Sequence, residues 1–452
     1  MNTSTHFGLR SIVACAALMV FAHQANADAS AKDIARLGKD LTPVGAEKAG
    51  NADGSIPAWE GGLTKPPAGF DRNNGYLNPY SADKVIATVT AANLAQYQAL
   101  LAPGQIELLK RYPSYRMKVY ATRRSAGFPA WFYETVQRDA SKAKLNEGGT
   151  GVQGVMSTPS IPFPLPKTGA EVIENHKLRY RSESARLNMS VGSVQANGTF
   201  TPIRWLYEVD FTAKMPDAEP NRLLYFKQVT LSPSNSAGES TVTIDPIDQS
   251  KEARQAWTYN PGQRRVLRAP DIGYDTPYFN VDGLATVDDS DMFNGALDRF
   301  DWKLVGKKEM LISYNNYELA SKALKYADVI KAGTINQDLP RYEKHRVWVV
   351  EATLKPGARH IYAKRVFFVD EDSWQIAHID QYDARGGLWR VHEAHAMQYY
   401  DMPGLWYALT TQYDLQAQRY FFEFLANEDK VPVFNSPKSR SAYTPESLRR
   451  GN

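Results

Sequence analysis

"IRWLYEVDF", Ile203 to Phe211, decides how this 452-residue chain is read. Ile203, Trp205, Tyr207, Val209 and Phe211 fall on one face of an extended strand, and Arg204, Leu206, Glu208 and Asp210 on the other. A period of two with large apolar residues on one side marks a strand with one face out of water. The pattern continues through "RLLYFKQVTL", "ARQAWTY", "RRVLRAP", "FDWKLVGKKEMLISY", "HRVWVVEATL", "IYAKRVFFVD", "WQIAHIDQYD" and "LWRVHEAHAMQYY". Turn residues punctuate it at Asn260-Pro261-Gly262, Asp370 to Ser373 and Arg385-Gly386-Gly387. So many strands on such short connections predict one large antiparallel sheet. A sheet of that size must curl or close. Several strands are apolar on parts of both faces, so one face must be covered by helices or enclose something apolar. The expected class is α+β, a large curved antiparallel sheet forming an incomplete β-barrel with helices over a hydrophobic cavity.

Ahead of the strands the signals are local. "ADKVIATVTAANLAQYQALL" after Ser81 and "PGQIELLKRYP" from Pro103 predict helices, and "YRMKVYATRR" a strand. "WFYETVQRDASKAKL" fits either a strand or a helix. "SIPFPLPKTG" alternates Pro162, Pro164 and Pro166 with Ile161, Phe163 and Leu165, which predicts a stiff extended rod. The rod suits a belt along a sheet edge or a lid over a cavity. "TGAEVIENH" predicts a short helix capped by Thr168. "YELASKALKYADVI" predicts a helical insert, Tyr317 to Ile330, that could cover the sheet as a movable lid.

The first 27 residues hold one charge, Arg10, then the apolar run "SIVACAALMVFA" and the small-x-small signal Ala25-Asn26-Ala27. This predicts a cleaved signal peptide over residues 1–27 and a periplasmic protein, with no membrane span in the mature chain. Cys15 is the only cysteine and falls within the leader, so thiol chemistry and disulfides are not expected afterwards. A net charge of +4 with dispersed basic residues argues against nucleic acid as a partner. Residues 28–80, rich in Gly, Pro and Asn, read as an extended strap pinned by Trp59, Phe70 and Tyr76. The barrel body is expected over residues 81–430 and a packed tail over 431–452.

Five stretches carry a family resemblance: "LTPVGAEKAGNADGSIPAW", "IPFPLPKTGAEVIENH", "WTYNPGQRRVLRAP", "FNGALDRFDWKLVGKKEM" and "VDEDSWQIAHIDQYDARGGLWRVHE". In that order they resemble a proteobacterial family of secreted proteins, domain of unknown function 1329, from about Leu41 to the C-terminus. The resemblance implies a fold related to the periplasmic lipoprotein carriers LolA and LolB. It also implies company with transporters of the resistance-nodulation-division type, and it supplies no catalytic residues.

The cavity implied by the resemblance would be lined by Ile203, Trp205, Tyr207, Val209, Phe211, Trp257, Trp348, Val350 and Phe367. A packed core would use the same residues, because both need an apolar face away from water. Arg264, Arg265 and Arg268 fit a charged hairpin end, or contacts to an anionic head group or acidic partner. His392 and His395 in "HEAH" point to opposite faces of a strand and cannot share a metal ion there. "DDSD", Asp288 to Asp291, reads as a solvated turn without the spacing of a calcium loop. With no Gly-x-Ser-x-Gly elbow and no phosphate loop, neither catalysis nor a cofactor is expected. The reading is a periplasmic carrier of a hydrophobic molecule or lipid, working with an inner-membrane transporter or an outer-membrane component. The alternative is an outer-membrane-associated scaffold whose cavity is filled by its own side chains. A cell-envelope hydrolase has no motif behind it.

Overall fold

The computed structural model describes residues 30–249, 251–269, 273–279 and 281–449. The expected signal peptide lies outside them. The strand signals condense into a 16-stranded sheet. Its long strands are β1 (Ser184–Val194), β2 (Ile203–Phe211), β3 (Leu224–Ser232), β4 (Ser240–Asp245), β5 (Gln255–Asn260) and β6 (Arg265–Arg268), then β7 (Phe300–Ser313), β8 (Tyr342–Leu354), β9 (Lys364–Asp370), β10 (Ile376–Tyr382), β11 (Leu388–Tyr399), β12 (Gly404–Asp414) and β13 (Arg419–Leu425). Strands β1 to β6 form one antiparallel meander. The chain then crosses over, and β7 to β13 form a second. Pairing of β13 with β1 joins the two into one curved sheet. The sheet runs from Ala87–Val89 at one end to β6 at the other, and among the described residues these ends do not pair, so the barrel stays open.

The alternation in β2 holds residue for residue. Ile203, Trp205, Tyr207, Val209 and Phe211 all join the largest apolar cluster, on one face. On the other face Arg204 pairs with Asp429, and Lys438 reaches Glu208. Strands of the second meander are apolar on both sides: in β8, Trp348 and Val350 face the main cluster while Val347 faces a separate one.

Two layers cover the main apolar face. Helix α3 (Gly169–Leu178) is buried at all ten positions. Its start is a capping box, in which Thr168 Oγ1 accepts from Glu171 N at 3.2 Å and the Glu171 carboxylate accepts from Thr168 N at 3.2 Å. The proline rod lies over α3, held by Asn175, whose Oδ1 accepts from Phe163 N at 2.9 Å and whose Nδ2 donates to Phe163 O at 2.7 Å. Prolines leave few backbone donors to satisfy, so one asparagine can dock the rod. Buried Ile161 and Phe163 and this clamp make the rod a belt.

The N-terminal strap lies against the belt. Gly45 has φ +96, and a Cβ there would stand 2.0 Å from the Pro164 carbonyl oxygen. Gly45→Ala is expected to cost about 2 kcal/mol or more, from left-handed strain plus the clash. The urea midpoint should fall and proteolysis should begin in the strap; an unchanged midpoint would show that the strap does not depend on this approach. Further along, Trp59 Nε1 donates to Ala126 O at 2.9 Å, and Phe70 and Tyr76 pack against Tyr400, so the three expected anchors are engaged.

The other face is covered by helix α1 (Pro103–Arg111), where Leu108 and Leu109 meet Val391 and Leu409, and by C-terminal Tyr443 and Leu448. "WFYETVQRDA" resolves as helix α2 (Ala130–Ala140).

Three local expectations are corrected. Residues 82–101 are not one helix: Ala87–Val89 pairs with Met117–Val119, and only short helical turns follow. The β-branched run Val85, Ile86, Thr88 and Val89 suits pairing better than a helix. The insert from Tyr317 to Ile330 holds a single helical turn, Tyr326–Val329, and is tied down rather than free to act as a lid. Tyr317 Oη donates to Gln398 O at 2.6 Å, and Asn427 Nδ2 donates to the carbonyls of Leu319 and Ser321. Those tertiary bonds take carbonyls that a helix would use internally. Finally, Asp288 and Asp289 are buried, not solvated. Arg365 and His360 pair with Asp288, and Tyr362 donates to Asp289, which pulls this segment onto the sheet.

Candidate functional site

The site lies where the first meander meets β13. Tyr207 and Phe211 of β2, Leu224, Phe226 and Gln228 of β3, and Thr241, Thr243 and Asp245 of β4 present alternate side chains to one cavity. Tyr278, Phe279, Val287, Ser290, Asp291 and Asn294 form its far wall. Glu423 and Phe424 of β13 both point into it although they are neighbours in sequence. The cause is a bulge. The β13–β1 register slips between Phe422 and Leu425, and Phe424 has φ +67. An inserted residue turns a side chain that would otherwise face away. The cavity volume is about 100 Å³, small beside typical small-molecule sites, and it opens to solvent. Phe279, 43% exposed, stands at its rim.

One wall is aromatic. Tyr207 packs against Phe226 and Phe424 at 4.8 and 5.7 Å between ring centres. The opposite end is ionic: Arg254 pairs with Asp245, Asn294 Nδ2 donates to Asp245 at 2.8 Å, and Arg179 and Arg181 share Asp291. Burial, with Arg179 beside it, lowers the Arg181 guanidinium to about 9. Burial raises the Glu423 carboxyl to about 7, partly offset by the Tyr278 hydroxyl, which donates to it at 3.1 Å. A larger groove, about 470 Å³, runs beside the proline rod, but its lining is mainly polar, with Lys144, Asn146, Glu147 and Lys167.

Of the residues expected to line a cavity, Tyr207 and Phe211 do so. Ile203, Trp205 and Val209 share their face but pack into the main cluster. Trp348 stacks on Trp374 at 6.2 Å, Val350 touches the start of α3, and Phe367 packs on Phe293 and Trp302. Trp257 packs on the opposite face with Tyr443 and Leu448, because its register partner Val242 alternates with the cavity-facing Thr241 and Thr243. Arg264, Arg265 and Arg268 are exposed on and beside the edge strand β6, away from the cavity. Sequence reasoning missed Arg181, Glu423, Phe424 and the wall from Tyr278. Neither the bulge nor the wall has a local signature.

His392 and His395 do face opposite sides of β11: His395 contacts Ser313 and Thr411, while His392 lies opposite Ile379 and Gln412. Metal-ligand chemistry does gather elsewhere, where one ligand atom each from His345, Asp370 and Asp372 lie within 4.8 Å of one another. These carboxylates are already engaged. Arg124 takes both oxygens of Asp372, at 2.9 and 2.7 Å, and Tyr314 donates to Asp370 at 3.1 Å.

Comparison with known proteins places the chain. The family model described as "Protein of unknown function (DUF1329)" matches residues 88–449. The chain belongs to the DUF1329 family. A relative, the uncharacterized protein PA3922 of Pseudomonas aeruginosa, is 50% identical over 440 residues, 96% of each chain. Among solved structures, a DUF1329 family protein from Desulfovibrio piger is 12% identical, with a TM-score of 0.44, covering 62% of this chain and 97% of that one. An outer membrane lipoprotein-sorting protein domain from Vibrio parahaemolyticus is 13% identical, with a TM-score of 0.43 and the same coverage. No helix among the described residues is long and apolar enough to cross a membrane.

Proposed function

We propose that this DUF1329 protein is a periplasmic, non-catalytic binding protein that carries a hydrophobic molecule, a lipid or lipid-like compound. Its exchange partners would be an inner-membrane transporter of the resistance-nodulation-division type and an outer-membrane component. The observation that carries the reading is the aromatic-walled cavity between β2–β4, β13 and the segment from Tyr278. Burial of a hydrocarbon chain there gains about 0.8 kcal/mol per methylene, enough to hold a ligand without a covalent step. The leader sequence supports export.

Native mass spectrometry of protein taken from the periplasm, followed by organic extraction, tests this. A discrete extra mass that extracts as a hydrophobe is expected. A clean mass that stays clean after incubation with membrane lipids would sink the carrier reading.

A second reading has its own support. Helix α3 is buried at every position and fills much of the sheet face that an empty carrier would leave open. That favours an envelope scaffold, and the clean-mass result would select it.

A further inference from the structure

The ionic end of the cavity carries more positive charge than its carboxylates balance. Arg179 and Arg181 follow directly after α3, with side chains 1% and 4% exposed. Both pair with one carboxylate, Asp291. Arg254 and Asp245 match one to one. His176, beside Arg179, is held well below its usual value by burial and adds no charge. Glu423, raised to about 7, supplies at most part of a negative charge at neutral pH. Among the described residues, three guanidiniums therefore face two full carboxylates. Water cannot screen the surplus well, since buried charge is stable only when paired and hydrogen-bonded.

The donors locate the surplus. Arg179 is saturated by Asp291, Gln375, Tyr407 and the His176 carbonyl. Arg181 is not: its Nη2 donates to Lys177 O at 3.0 Å, and its buried Nε has no partner. Its guanidinium lies 4.8 Å over the ring of Phe211 and lines the cavity. A buried donor without an acceptor costs about 1–3 kcal/mol, which a ligand acceptor would recover.

We infer that the cavity takes a single-chain anionic amphiphile, with the anionic oxygen accepting from Arg181 and the hydrocarbon chain packed against Tyr207, Phe226 and Phe424. This rests on the carrier reading and adds the sign and place of the ligand's charge. A fatty-acid carboxylate and the phosphate ester of a lysolipid share this acceptor chemistry.

Affinity is measured on the full mature chain for oleate, oleyl alcohol and oleoyl lysophosphatidate, which share one chain and differ in the head. Oleate or the lysophosphatidate is expected to bind about tenfold or more tightly than the alcohol, the size of one charge-assisted hydrogen bond. Whichever anion binds tighter identifies the source. Arg181→Gln should abolish the preference while keeping alcohol binding, and Arg181→Lys should retain part of it. Equal affinity for the alcohol and both anions on the unaltered protein overturns the inference and leaves the carrier reading standing. Binding of none of the three overturns both.

Discussion

Arg124→Met is expected to cost about 3–5 kcal/mol and to loosen the N-terminal strap, the effect of removing one partner from a buried ion pair. Arg124 and Asp372 are 2% and 3% exposed at their side chains and meet through two hydrogen bonds. The remaining guanidinium donors reach the carbonyls of Glu47, Lys48 and Pro57. One side chain thus neutralises the β9–β10 turn and gathers the strap. Without it, Asp372 stays buried beside Asp370, whose carboxyl burial and Asp372 already raise to about 6. The strap carbonyls would also lose their donors. Urea unfolding should show the loss, and limited proteolysis should cut between residues 40 and 60 well before the core. A variant with an unchanged midpoint and an uncut strap would refute this role. Asp372→Asn should be milder, because an amide can still accept from Arg124.

The second large effect is a pH dependence centred on Glu423. The carboxyl ionises near 4.5 in the unfolded chain and near 7 in the folded one. Below pH 4.5 both states hold the proton and the site carries no penalty. Between 4.5 and about 7 the unfolded chain releases its proton first, so this group lowers stability as pH rises. Above 7 the full cost remains, about 3 kcal/mol at 1.36 kcal/mol per pH unit. Glu423→Gln keeps an acceptor for Tyr278 Oη and removes the ionisation. The difference in unfolding free energy between variant and unaltered protein should therefore grow between pH 5 and pH 8, in favour of the variant. Parallel pH curves for the two proteins would exclude Glu423 as the source.

Local sequence pattern and tertiary contact carry two kinds of information. The alternation in Ile203–Phe211, the capping box at Thr168 and the proline rod were legible in sequence, because each depends on residues two to four positions apart. The open antiparallel sheet followed from repeating that alternation. Where local signals were weak, tertiary contacts overrode them. The helix expected after Ser81 gave way to pairing of Ala87–Val89, and the insert after Tyr317 gave its carbonyls to Asn427.

The candidate site belongs to the second kind. Arg181, Phe226, Tyr278 and Glu423 come together only because β13 closes against β1 and a bulge turns Phe424 inward. Arg124 and Asp372 likewise meet across 248 positions. By itself the sequence determined that this chain would build a large sheet with one apolar face, since periodicity acts over neighbours. Only the tertiary structure decided which apolar residues became core and which line a cavity, since register and chain crossing set which side chains share one low-dielectric space.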